Sequence, residues 1–362
     1  MCTSLLYFDQ QEAPYTGRTL ELPVEQPYLL VYQPKDSTFS SQVKNHPALH
    51  YTAQYGFISV AVEIDPRADV KVVEGVNSAG LTFSLLAFAV SKGPQDTFDS
   101  NTAVLSTVDL GNWVLSQFSS VAQAKAALEK QAILAEGLDL LGGMEPPFHY
   151  VLHDASGDSI VIEYTNGQQN IYANPIGVMT NGPEFPWHLT NLSNYTHLSN
   201  IDQLETTLRG KRLFQPDSGI ATATLPSSNT SVGRFVRAAY YANFAEKAAT
   251  PASAIVTLAH IMNNFDRPRG ITVDSTAYNS SMDAGAPEVI GMPGYCSEYT
   301  SWTSLTDLRQ GLLYLRSYTQ LNYIRINLTE LLAHSQKIVM PLSQLNESLA
   351  DGTQALLHAA AQ

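Results

Sequence analysis

The chain has 362 residues, 44% of them hydrophobic, and a formal net charge of −13 from 20 basic against 33 acidic side chains. That is apolar material for one large α/β domain or two smaller ones, and the negative balance repels phosphate backbones and anionic membranes, excluding nucleic acid as a partner. Two widely separated cysteines, Cys2 and Cys296, match no metal-ligand spacing and are too few for a disulfide framework, which fits a reducing compartment.

The opening MCTSLLYFDQ carries neither the basic region nor the long apolar run of a secretory signal, and no stretch of about 18 uninterrupted apolar residues follows. A soluble, cytoplasmic protein without membrane contact is expected. Cys2 to Phe8 reads as a strand, and Pro14 and Gly17 turn the chain into a second extended piece, GRTLEL, giving an opening hairpin. YGFISVAVEI and GLTFSLLAFAV are apolar almost throughout, as strands covered on two faces are. Between Thr107 and Ala135, the residues Leu110, Val114, Leu115 and Phe118, then Val121, Ala124 and Leu128, fall on a helical stripe, with Ser119 or Ser120 capping a second helix. FHYVLHDASGDSIVIEY is a hairpin about the turn Asp154 to Gly157. Thr250 precedes Pro251 as the cap of another helix over TPASAIVTLAHIMNN. Asn194 to Ser231 is polar and too long for an ordinary connection, either an excursion onto a partner subunit or a mobile loop. Beyond Pro341, SQLNESLADGTQALLHAAA reads as a final helix. Strands and helices thus come in groups, implying sheets layered between helices.

The second residue carries the first chemical signal. Removal of Met1 ahead of a small residue leaves Cys2 with a free α-amine, whose pKa of about 8 lets it accept the thiol proton, so the nucleophile brings its own base. His149 and His153 are four apart, but they lie in a strand without the glutamate of the zinc-protease pattern, so no metal or cofactor is implied and one or both are exposed or hydrogen-bonded strand residues. Cys296 reads as a spare buried thiol, and Trp187, Tyr195, Tyr299 and Trp302 as core or interface aromatics.

The segments MCTSLLYF, GRTLEL, EGVNSAGL, QFSSVAQAK, PPFHYVLHDASGDSIVIEY, IYANPIGVMTNGPEFPWHLTNLSNY and GRFVRAAYY follow one another in an order and spacing that resemble bile salt hydrolases and penicillin V acylases, the choloylglycine hydrolase family of N-terminal-nucleophile hydrolases. The resemblance covers nearly the whole chain and is most specific in the segment ending at Pro183 and the one starting at Arg234. It implies an α+β fold, the four-layer αββα sandwich with two antiparallel sheets between helical layers, as a single domain over residues 1–362. It implies catalytic roles for Cys2 as nucleophile, Arg18 as a neighbouring cation that favours the thiolate, Asn181 as oxyanion donor and Arg234 as a second active-site arginine. Glu21 stands where the family usually has aspartate, as the carboxylate that holds the α-amine. Ala87 stands where bile salt hydrolases carry asparagine and an acylase type carries tyrosine, so any oxyanion contact from it comes through its backbone N–H.

Phe83, Ala87 and Phe88, with Phe8, are expected to line an acyl pocket, although apolar strand residues are more often simple core. The excursion at 194–231 matches in position the family's tetramer-forming hairpin, its glycine-rich end faded to Thr224-Leu225-Pro226-Ser227-Ser228. A homotetramer is expected, with a dimer as the alternative. Three activities stay open. One is an acylase for phenoxyacetyl or fatty-acyl amides, including acyl-homoserine lactones, toward which Ala87 tilts the reading. The second is a bile salt hydrolase, and the third an inactive binding protein, against which the retained Cys2, Arg18, Asn181 and Arg234 argue.

Overall fold

The computed structural model describes residues 1–65, 68–138, 143–278 and 286–346. Among them, two large sheets are built from β1 (Cys2–Phe8), β2 (Pro14–Leu22), β3 (Leu29–Gln33), β4 (Phe57–Val62), β5 (Lys71–Asn77), β6 (Thr82–Ala87) and β7 (Phe148–His153). The remaining strands are β8 (Ser159–Thr165), β9 (Gln168–Ala173), β10 (Val178–Met179), β11 (Tyr299–Asp307), β12 (Leu312–Ser317), β13 (Ile324–Asn327) and β14 (Ile338–Pro341). The six-stranded sheet has the order β10-β1-β2-β11-β12-β13 and the eight-stranded sheet β9-β8-β7-β6-β5-β4-β3-β14. Every neighbouring pair in both is antiparallel.

Helices α1 (Leu110–Gln117) and α2 (Val121–Leu128) cover the outer face of the larger sheet, where Leu115 and Leu128 share an apolar cluster with Phe83, Tyr150 and Ile162. After α3 (Phe185–Leu192), the helices α4 (Ser231–Phe244) and α5 (Pro251–Met262) cover the smaller sheet, α4 against β1 and α5 against β2 and β11. This is the expected αββα sandwich. An antiparallel sheet commonly leaves one face wet and then alternates in polarity; here helices close that face, which is why β1 and β2 are buried almost end to end. Alternation survives in the partners instead. Ser4 Oγ meets His153 Nε2 of the other sheet at 3.4 Å, whereas Thr3 Oγ1 and Tyr7 Oη reach back to Arg234 and to the Glu246 carbonyl on the helical side. Gly17 is required by that covering, since a Cβ there would sit 2.6 Å from Met262 Sδ of α5.

The stripe from Leu110 to Leu128 is interrupted: the chain is extended at Phe118 (φ −122°, ψ 150°), and Ser120 caps α2 through Gln123 N at 3.3 Å. Thr250 caps α5 in a reciprocal capping box with Ser253. Within 194–231 an exposed hairpin pairs Glu205–Leu208 with Lys211–Phe214. Of the expected final helix, Leu342–Gln344 form a single 3₁₀ turn and 347–362 lie outside the described residues. Among the described residues no helix is long and apolar enough to cross a membrane.

Candidate active site

The β1–β2 register pairs Cys2 with Leu20 and Ser4 with Arg18, so the sulfur and the guanidinium sit on the same inner face one step apart. Arg18 Nη2 donates to the Leu85 carbonyl and lies 3.5 Å from Cys2 Sγ. The guanidinium is buried, packed 4.6 Å from the Trp302 ring centroid, and its Nε lies 3.4 Å from Glu74 Oε2 without hydrogen-bond geometry. Burial pushes the Glu74 carboxyl up to about 7 despite the opposing pull of Arg18 and of the Ser84 and Ser304 hydroxyls. Nothing in the local sequence KVVEGVN marks Glu74 as Arg18's partner, because the pairing crosses from one sheet to the other.

The second half of the site is built on Asn181, just past β10. Its Oδ1 accepts from Cys2 N at 2.9 Å and from Arg234 Nη2 at 2.6 Å, and its Nδ2 donates to the Ala87 carbonyl at 2.7 Å. Two donors on one atom and one acceptor on the other fix the amide orientation. One N–H of Nδ2 is used in that bond and the second is left for a ligand. Arg234, fully buried near the start of α4, also donates to the Cys2 carbonyl, to Thr3 Oγ1 (2.8 Å) and, through Nε, to the Asn229 carbonyl (3.0 Å). Burial lowers its pKa, with Glu21 and Cys2 pulling the other way.

Glu21 is wholly buried on the helical side of β2, next to a bulge at Leu20/Glu21. Its Oε1 accepts from Thr300 Oγ1 at 3.2 Å, and Oε2 is buried without a hydrogen-bond partner. Burial raises its pKa against the pull of Arg234 and the N-terminal ammonium. In the chain that retains Met1, Cys2 N bonds Asn181 rather than Glu21, because Met1 fills the ladder opposite Glu21: Met1 N donates to the Glu21 carbonyl (2.6 Å) and Glu21 N to the Met1 carbonyl (2.8 Å). The Met1 ammonium also lies 3.2 Å from Glu298 Oε1, and Glu298 Oε2 accepts from Arg267 Nη1 at 2.8 Å. Burial opposes ionisation of Glu298, yet the ammonium and Arg267 together hold its carboxyl below the usual range.

A cavity of about 260 Å³ opens beside Cys2. Leu20, Leu22, Val73, Leu85, Ala87 and Phe148 give it an apolar wall, and among the described residues Glu63 and Lys71 are its charged members. Ala87 lines it, whereas Phe83, Phe88 and Phe8 do not, a correction with a packing cause. Phe83 shares a strand face with Leu85 and Ala87 but lies deeper, under α1, where a Cβ on Gly111 would come within 2.8 Å of its ring. Phe88 is turned to the other face and stacks on His149 at 4.6 Å, and Phe8 lies against the Gly157 turn.

His149 and His153 are both buried and hydrogen-bonded. Sequence reasoning gave His188 no role at all; it lies in α3, and its Nε2 meets the Asn181 carbonyl at 2.9 Å. Cys296 is buried, and neither cysteine is in a disulfide.

The profile of the "Linear amide C-N hydrolases, choloylglycine hydrolase family" matches residues 2–340. A bile salt hydrolase/transferase of Lactiplantibacillus plantarum is 26% identical over 334 residues, covering 90% of this chain and 93% of the relative. A penicillin V acylase of Pectobacterium atrosepticum is 27% identical over 244 residues, covering 66% and 59%. Among solved structures, a conjugated bile acid hydrolase variant from Clostridium perfringens superposes with a TM-score of 0.78 at 23% identity, covering 97% and 99% of the two chains. The penicillin V acylase from Agrobacterium tumefaciens gives 0.72 at 25%, covering 94% and 92%. With the profile spanning almost the entire chain and the sandwich shared with these structures, the protein belongs to the choloylglycine hydrolase family and is an amidohydrolase of linear C–N bonds.

Proposed function

We propose that the protein hydrolyses side-chain amides of compact aryl or alkyl acyl groups, in the manner of a penicillin V acylase, with Cys2 as nucleophile once Met1 has been removed. The observation that carries this reading is the convergence on Cys2 of Arg18 at the sulfur, Asn181 at the nitrogen and Arg234 at the carbonyl, beside an apolar cavity. The Cys2 sulfur bonds to the substrate carbonyl carbon while the thiol proton passes to the Cys2 α-amine. The free N–H of Asn181 Nδ2 and the backbone N–H of Ala87 stabilise the oxyanion, a contribution of about 2.7–4 kcal/mol per donor in comparable sites. The C–N bond then breaks, the α-ammonium returns its proton to the leaving nitrogen, and a thioester remains. Water adds to it with the amine as base, releasing the acid and restoring the thiol. With Met1 gone, the unpartnered Glu21 Oε2 takes the α-amine in place of the lost ladder bonds.

A volume of about 260 Å³ lies below the roughly 300–1,000 Å³ of drug-sized sites, which favours phenoxyacetyl or a fatty-acyl chain, as in acyl-homoserine lactones, over a fused steroid. The bile salt reading stays as the second one, because relatives so named match over 90% of this chain. Comparing kcat/KM for phenoxymethylpenicillin, a long-chain acyl-homoserine lactone, glycocholate and taurocholate tests the choice. A clear preference for either bile conjugate overturns it and leaves the nucleophile untouched.

The proposal extends to assembly and place of action. The hairpin at Glu205–Phe214 exposes Leu208 and Phe214, which suits a homotetramer contact, and two widely separated cysteines outside any disulfide suit the cytoplasm.

A further inference from the structure

Two histidines hold two successive carbonyls on either side of the site. His149 Nε2, from β7, meets the Thr180 carbonyl at 3.1 Å, and His188 Nε2, from α3, meets the Asn181 carbonyl at 2.9 Å. A carbonyl only accepts, so each ring carries a proton on Nε2. Behind His149, Nδ1 lies 3.1 Å from Glu163 Oε1, and the two oxygens of Glu163 accept from Phe185 N at 3.1 Å each. His188 is kept neutral by burial, which lowers its pKa to about 4.

The rings are also stacked, and on informative residues. His149 lies 4.6 Å from Phe88, which follows Ala87, the acceptor of Asn181 Nδ2. His188 lies 4.5 Å from Phe235, which follows Arg234, the donor to Asn181 Oδ1. Each histidine therefore ties the Asn181 main chain to the element holding one end of its side chain. Three strands and two helices meet there, and hydrogen bonds at both ends hold the amide in one orientation.

We infer that His149 and His188 are positioning residues that aim the free N–H of Asn181 at the oxyanion. The inference rests on the proposed oxyanion role of Asn181. They touch no reacting atom, and their effect belongs to the transition state, since a displaced donor weakens the oxyanion contact without changing the acyl cavity.

The experiment compares His149→Phe and His188→Phe, which keep the ring stack and remove the donor, with His149→Gln and His188→Gln, which keep a donor, and with Asn181→Ala, all assayed on phenoxymethylpenicillin. The Phe variants are expected to lose roughly 10- to 100-fold in kcat, up to the 10²–10³ seen on deleting an oxyanion donor. KM should stay within about 3-fold and Cys2 alkylation by iodoacetamide should be unchanged. The Gln variants should recover most of the loss, and His188→Phe should add little in an Asn181→Ala background. Equal kcat in folded Phe variants and parent, or Gln no better than Phe, overturns the inference. An Asn181→Ala protein as fast as the parent overturns the underlying site reading instead. Nitrogen-15 spectra of the unmodified enzyme decide the matter even where the Phe variants fail to fold: a His188 protonated on Nδ1 rather than Nε2 refutes the clamp.

Discussion

Replacing Glu74 with glutamine separates the proton economy of the Arg18 pair from the rest of the molecule. In the folded chain burial holds the Glu74 carboxyl protonated up to about pH 7, against an ordinary value of 4.5. The folded state thus binds more protons than the unfolded state across that window. The stabilisation is complete below 4.5 and is lost as pH rises through about 7. At 1.36 kcal/mol per pH unit the whole window is worth about 3 kcal/mol, most of it between pH 5 and pH 8. Glutamine resembles the protonated carboxyl and does not titrate. Denaturant unfolding of parent and Glu74→Gln should therefore show their stability difference moving by roughly 2–3 kcal/mol in favour of the variant between pH 5 and pH 8. His153 and His188, lowered by burial to about 3 and about 4, bend the pH curve the opposite way, but they do so equally in both proteins and cancel. A difference that stays constant with pH would mean that Arg18 keeps Glu74 ionised throughout, and the burial argument would be wrong.

Mature active protein should begin at Cys2 by intact mass, and Cys2→Ala should abolish turnover; full activity from chains that retain Met1, or from the alanine variant, sinks the N-terminal mechanism. Glu21→Ala should lose most of kcat by releasing the α-amine, whereas Glu21→Asp changes it only moderately, and an alanine variant as fast as the parent would reduce Glu21 to a hairpin carboxylate. Replacing the hairpin at Glu205–Phe214 with a short glycine linker should lower the native mass measured by light scattering; an unchanged mass refutes its role in assembly.

What could be read from the sequence was what is carried in short order along the chain. The opening hairpin, the Asp154 turn and the Thr250 cap follow from spacing and turn chemistry, and Cys2, Arg18, Asn181 and Arg234 from motifs. The partners that hold those residues are another matter. Glu74 reaches Arg18 across the sheets, and His188 reaches the Asn181 main chain from α3, contacts that no local pattern encodes. Phe88 points to the face opposite Ala87, as a strand's period of two requires, and packs on His149. Phe83 misses the cavity for a related reason: the period gives a side chain its face, but not its depth along that face, and depth decides whether a ring meets substrate or α1.

The β1–β2 hairpin concentrates the proposed nucleophile Cys2, Arg18 and Glu21 within the first 22 residues, whereas Asn181 and Arg234 lie far downstream. During synthesis the ribosome delivers these two halves at different times. A nascent chain presents amine and thiol early but lacks both the Asn181 donor for an oxyanion and the α4 guanidinium that orients it. On the proposed roles, acyl transfer is withheld until most of the domain has emerged, so the order of translation itself keeps a reactive thiol from working on amides before the cavity exists to select them.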